Sequence, residues 1–316
     1  MRRISLSPTA YRRITLAAAV LLGVIIVTGG AVRLSDSGLG CPVGISCPAS
    51  QLQAHGPSSV HATIEHVNRL FTGLVSVTVI VAVLGSLVRT PRRRDLTWLS
   101  WGLVVGVFAQ AVLGQLTVAF DLTPGFVMAH FLVSIVLLTD AIVLYARAGV
   151  PDESIGEPNR RATSGRVVAL VRALLVLASL VLVTGTVVTG AGPHSGGGKG
   201  DDVTRLDIPI TDAARLHGTI VMAFLGVVCI TVLVAWRDGA PARVRSRLTV
   251  LLVVLVAQAA VGYTQYFTDI PPVLVGIHIA GAALVWTATL WTYLGCFERR
   301  PSDATATAAR PVLATA

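Results

Sequence analysis

Charge is scarce in this chain. Only 13% of its 316 residues are Asp, Glu, Lys or Arg, about half the share of roughly 25% found in soluble domains. That shortage excludes a water-soluble enzyme, and it equally excludes a disordered or low-complexity chain. Cysteine is scarce too: four residues are too few for a disulfide scaffold, and no Cys-x-x-Cys-His stretch offers covalent c-type haem attachment. The strict apolar/polar alternation of a transmembrane barrel is also missing.

What the chain has instead is apolar length. With 53% hydrophobic residues and a mean hydropathy of +0.75, it contains continuous apolar runs over about 14–32, 67–88, 96–118, 125–147, 167–190, 214–236, 248–267 and 273–296. A helix needs about 20 such residues to cross a bilayer. The pattern therefore predicts an all-α membrane protein with eight transmembrane helices. The first run is too long for the apolar core of a signal peptide and reads as an uncleaved helix.

The net charge of +9 reflects topology. Twenty of the 25 basic residues lie at the N-terminus, after the second, fourth and sixth runs, and in the tail. Only Arg33, Arg69, Lys199, Arg205 and Arg215 lie on the other side. Basic residues stay on the cytoplasmic side, so the expected protein is a multi-pass cell-membrane protein with both termini cytoplasmic. A nucleic-acid partner drops out, and membrane lipid is the surrounding medium. The long outer loops are expected at about 33–63 and 191–213. The expected division is a four-helix half over 1–147, a cytoplasmic linker over 148–166, a second half over 167–300 and a disordered tail over 301–316.

The halves are similar in sequence. At a constant offset of 148 residues, Gln110 matches Gln258, Gly114 matches Gly262, Asp121 matches Asp269, Pro124 matches Pro272 and His130 matches His278. Val27-Thr28-Gly29 echoes Val183-Thr184-Gly185 more weakly. Two tandem four-helix bundles follow, related by a pseudo-twofold along the membrane normal.

None of the seven histidines lies on the arginine-rich side. His66, His130, His217 and His278 all fall in the outer half of the membrane, where ionisable residues are costly and mark function. One such histidine alone is more often an interhelical hydrogen-bonding residue. A pair recurring in both repeats suits axial ligation of haem, with imidazoles from facing helices reaching the iron. Zinc is disfavoured because these pairs lack carboxylate or thiolate company.

The stretch Gly29-Gly30-Ala31-Val32-Arg33-Leu34-Ser35-Asp36-Ser37-Gly38-Leu39-Gly40-Cys41-Pro42, with Cys47 after it, resembles the first outer loop of the haem A synthases. Gly185–Gly196 resembles a later segment of the same family, and the likeness spans about residues 14–296. It implies oxidation of a methyl group of haem O to a formyl group, giving haem A for terminal oxidases. It also implies that His217 and His278 hold a permanent haem b. His130 would be a ligand of the substrate haem, Glu65 the catalytic acidic residue, and Cys41 and Cys47 the cysteine pair of the outer loop, expected as a structural or regulatory disulfide on the oxidising side. Haem O synthase is the implied supplier, and an electron-transfer partner is required.

One position departs from the family pattern Glu-x-x-His-Arg: the chain reads Glu65-His66-Val67-Asn68-Arg69. Residues two apart on a helix differ by about 200° in direction, so His66 does not simply replace the missing ligand. His61, one turn before Glu65, is the other candidate, and His130 alone is the third reading. Arg69 and Arg215 are candidates for haem propionates, although pairing of Arg69 with Glu65 is the blander role. Gln110 and Gln258 read as interhelical hydrogen-bonding residues. Cys229 and Cys296 read as buried apolar residues.

Two other classes compete with the enzyme. An electron-carrying membrane cytochrome b accounts for the histidines but leaves Glu65 without a task. A parallel-repeat transporter would place polar groups near the midplane, whereas here they cluster at the outer end.

Overall fold

A computed structural model describes residues 5–35, 37, 57–195 and 204–299. Its helices are α1 (Pro8–Leu34), α2 (Pro57–Val88), α3 (Arg94–Ala119), α4 (Pro124–Ala148), α5 (Gly165–Ala191), α6 (Ile210–Arg237), α7 (Ala242–Phe267) and α8 (Pro272–Gly295). All eight are long and apolar enough to span a membrane. The chain is thus an all-α, multi-pass membrane protein. Large apolar side chains such as Val105, Phe108 and Leu233 remain exposed, as lipid-facing residues do.

Helix ends follow local chemistry. Ser7 accepts from the Ala10 N–H ahead of Pro8, and Ser164 accepts from the Val167 N–H, satisfying donors that a helix start leaves open. Pro124 and Pro272 stand at the first position of α4 and α8, where a missing N–H costs nothing.

Four starts lie well ahead of the apolar runs: α2 begins at Pro57, ten residues before its run, α1 at Pro8 and α7 at Ala242, six before theirs, and α6 at Ile210, four before. The added turns are amphipathic (His61, Glu65 and His66 in α2), so hydropathy does not register them. The outer loop predicted to extend to 63 therefore ends before Pro57. Glu65 and His66 lie two turns inside α2.

Within the first half α1 packs on α2 and α4, and α3 packs on α2 and α4. In the second, α5 and α7 pack on α6 and α8 in the same way. The halves meet through α1 with α8, α4 with α5 and α4 with α8. Exchanging the halves maps the first two contacts onto each other and the third onto itself. At this seam Trp286 donates to Thr139 at 2.8 Å.

The repeat extends to backbone geometry. Asp121 and Leu122 have φ of 49° and 56°, and Asp269 and Ile270 have 58° and 56°. Side-chain-bearing residues rarely adopt this left-handed region. In both turns an N–H five residues on closes the helix end, Leu122 onto Thr117 and Ile270 onto Gln265, each at 2.8 Å. This Schellman-like closure folds α4 back on α3 and α8 back on α7, setting each helix pair in the same register.

The stretch between halves is structured. Arg89 meets Asp152 at 2.8 Å, tying the turn at Asp152–Ser154 to the first half. Arg160–Arg161 (β1) pairs antiparallel with Phe297–Glu298 (β2) beyond α8. Cys229 is exposed, contrary to its expected burial. Cys296 is buried but caps α8 from just outside it, and burial pushes its thiol up to about 11.

Candidate functional site

His217 projects from the second turn of α6, with Nδ1 3.1 Å from Thr184 Oγ1 on α5. The Thr184 hydroxyl donates to the Leu180 carbonyl at 2.8 Å. Its oxygen therefore accepts from the ring, Nδ1 carries the hydrogen, and Nε2 presents its lone pair. His278 on α8 is positioned by the helix opposite: Gln258 donates to its backbone carbonyl at 2.7 Å. Both rings lie against bare backbone. A Cβ added at Gly185 would stand 3.2 Å from His217 Cε1, and one at Gly262 would stand 3.0 Å from His278 Cε1. An alanine at either position would oblige the facing ring to shift by a few tenths of an ångström. The two imidazoles are near enough to interact electrostatically.

The first half repeats part of this arrangement. Gln110 donates to the His130 carbonyl at 3.0 Å, and a Cβ at Gly114 would stand 3.6 Å from His130 Cε1. The other wall differs. Thr28, the counterpart of Thr184, donates to Asn68 Oδ1 at 2.9 Å. Asn68 thus makes the contact that His217 makes in the second half, and an amide replaces an imidazole.

Glu65, one turn before Asn68, is only 5% exposed, and its Oε1 meets Arg69 Nη2 at 2.5 Å. The blander role of Arg69 is therefore present. Arg215 is held 3.7 Å from Asp212, and its side chain is 83% exposed. His61 Nδ1 lies 3.0 Å from Ser37 Oγ, so that ring is engaged where the outer loop begins. His66 has a buried Nδ1 without a hydrogen-bond partner, as do His130 and His278. Cys41 and Cys47 lie outside the described residues. Among the described residues no three His, Cys, Asp or Glu side chains gather as a metal site.

These residues fit a haem. With Nδ1 of His217 engaged by Thr184, its Nε2 is left to a metal. The glycine-backed rings and apolar helices suit a flat macrocycle.

Asp140 escaped the sequence reading, which put the strongly polar groups at the outer end. It lies on α4 toward the arginine-rich end, packed over Gly102 of α3, where a Cβ would meet its Oδ2 at 2.6 Å. The signal was one carboxylate inside the run Val136-Leu137-Leu138-Thr139-Asp140-Ala141-Ile142. The threonines were also missed as site residues, because hydroxyls are common in membrane helices and their partners lie far away in sequence.

Residues 12–193, more than half of the chain, match the family model described as cytochrome oxidase assembly protein, COX15-CtaA. The match covers α5 and stops before α6. A search of curated proteins found no match.

Proposed function

Since the chain belongs to the haem A synthase family of cytochrome oxidase assembly proteins, we propose that it oxidises the C8 methyl group of haem O to a formyl group. The observation that supports this reading is the asymmetry of the two halves. His130 and His278 share a setting of glutamine and glycine, while the facing position is His217 in one half and Asn68 in the other. A pair of imidazoles suits a permanently held haem b. A pocket with one imidazole and a buried carboxylate suits a haem that is altered and released. The reading gives Glu65 a task that a plain electron-carrying cytochrome leaves unfilled.

In this mechanism His217 and His278 hold haem b, which supplies electron transfer to or from a redox partner when bound. His130 orients the substrate macrocycle, and Asn68, fixed by Thr28, leaves the opposite face without a strong ligand. Glu65, held by Arg69, accepts protons leaving the reacting carbon region. The first two-electron oxidation converts the methyl group to hydroxymethyl and the second gives a geminal diol. Each takes one oxygen atom from water and releases two protons by way of Glu65 and two electrons to the redox partner; the diol then loses water to become the aldehyde. The apolar helices keep bulk water from the ring. The outer end of the bundle, opposite the arginines, is the side on which both pockets open, and a membrane-embedded haem O synthase is the supplier.

The test is co-expression with a haem O supply, followed by pyridine haemochrome spectra and mass analysis of the extracted pigment. Formyl haem is the expected product. Unchanged haem O beside intact haem b would overturn the reading in favour of an electron-carrying cytochrome b.

A further inference from the structure

At the arginine-rich end of α3 lies a groove of about 510 Å³ lined by Arg92, Arg94, Thr97, Trp98 and Trp101. Its charges are uncompensated. Arg89 pairs with Asp152, Arg93 with Asp95 and Asp152, and Arg147 with Asp95. Arg92 and Arg94 have no ion pair among the described residues. The nearby carboxylates are committed elsewhere, so two guanidinium groups stand free beside one cavity.

Trp98 is 75% exposed and Trp101 48%. One and two turns further along α3, Val105 and Phe108 continue the exposed apolar track toward the bilayer interior. Cationic groups at the mouth and an apolar track beneath them match a phosphate headgroup carrying acyl chains.

The pattern is not repeated at the matching positions of the second half. The positions 148 residues on are Ala240, Ala242, Arg245, Ser246 and Thr249, without tryptophan. Arg245 there lies over the Trp236 ring at 4.5 Å, and Arg243 meets Glu298 at 3.7 Å. At this end of the second half these arginines are thus engaged by a ring or a carboxylate, whereas Arg92 and Arg94 have no ion pair among the described residues.

We propose that this groove binds an anionic phospholipid, with Arg92 and Arg94 on the phosphate and Trp98 and Trp101 against the glycerol and upper chains. A bound lipid here braces the exposed face of α3, whose other face carries Gly114 and Gln110 to His130. The proposal does not depend on the haem chemistry.

The experiment uses the full chain reconstituted in vesicles containing phosphatidylglycerol or phosphatidylcholine with dibrominated chains, which quench tryptophan on contact. Stronger quenching by the anionic lipid is expected, removed in a Trp98→Phe/Trp101→Phe variant. One arginine near an anionic surface contributes about fivefold in association and two up to about thirtyfold. Arg92→Gln/Arg94→Gln should therefore lower the preference by roughly 5- to 30-fold. Arg160→Gln/Arg161→Gln, which removes equal charge from the same end, should retain it. Single substitutions provide intermediate values if the double variant folds poorly. Equal quenching by both lipids would overturn the proposal, as would equal loss in the Arg160/Arg161 control, which means surface charge alone. Release of quenching by millimolar inorganic phosphate would assign the groove to a free anion. Protection from both lipids in a dimer would assign it to a second copy.

Discussion

Replacing Gly262 with alanine should disturb the second pocket, while the same change at its repeat partner Gly114 should not. A Cβ at 262 stands 3.0 Å from His278 Cε1, and one at 114 stands 3.6 Å from His130 Cε1. Carbon atoms pack comfortably at about 3.5–4.0 Å. The alanine at 262 must therefore push the ring by about 0.5 Å, whereas the alanine at 114 fits. Gln258 fixes the His278 backbone, so the ring must make room by turning about its own side-chain bonds. Overpacking of this kind costs about 1–3 kcal/mol, and an axial bond tolerates little displacement. Gly262→Ala should lower haem b content and alter the low-spin spectrum of the purified protein. Gly114→Ala should retain wild-type haem b and gain up to about 1 kcal/mol from helix propensity. Wild-type spectra and haem content in Gly262→Ala, or equal damage in both variants, would refute the reasoning.

Four further outcomes are expected. His217→Ala or His278→Ala removes bound haem b from the purified protein, read as loss of the low-spin spectrum. Glu65→Gln keeps haem b and folding but halts turnover, with hydroxymethyl haem sought by mass analysis; a normal haem A yield would remove Glu65 from the mechanism. Asn68→His supplies the missing imidazole and shifts the substrate haem toward a six-coordinate, low-spin state in electron paramagnetic resonance. Asp152→Asn leaves Arg89, 2% exposed, without its charged partner. Leaving the guanidinium of this part-buried pair with weaker partners costs about 1–3 kcal/mol, visible as a lower thermal midpoint with unchanged pocket spectra.

The eight spans were legible because a bilayer imposes a length and a composition that few other environments demand. The repeat was legible from Gln110 to His130, and the turn geometry at Asp121 and Asp269 shows the same offset in the backbone. Glu65 was legible as a residue but not in its depth. The first turns of α2 are amphipathic, and hydropathy averages them away. The pairing of Thr28 with Asn68, and of Thr184 with His217, was beyond the sequence because hydroxyls have no characteristic spacing from such partners. Asp140 was overlooked for the opposite reason: one carboxylate in a long apolar run barely changes the average.

The stretch joining the halves has two owners. Asp152 belongs to the first half through Arg89, and Arg160–Arg161 belong to the second through Phe297–Glu298. Between these anchors lie Gly156, Glu157, Pro158 and Asn159, which no strand or ion pair claims among the described residues. The linker, unlike the packed helices, is thus already divided between the two halves. Two separately translated pieces meeting at Gly156 would each keep a complete set of end fastenings, and only the seam of α1, α4, α5 and α8 would be left to reunite them.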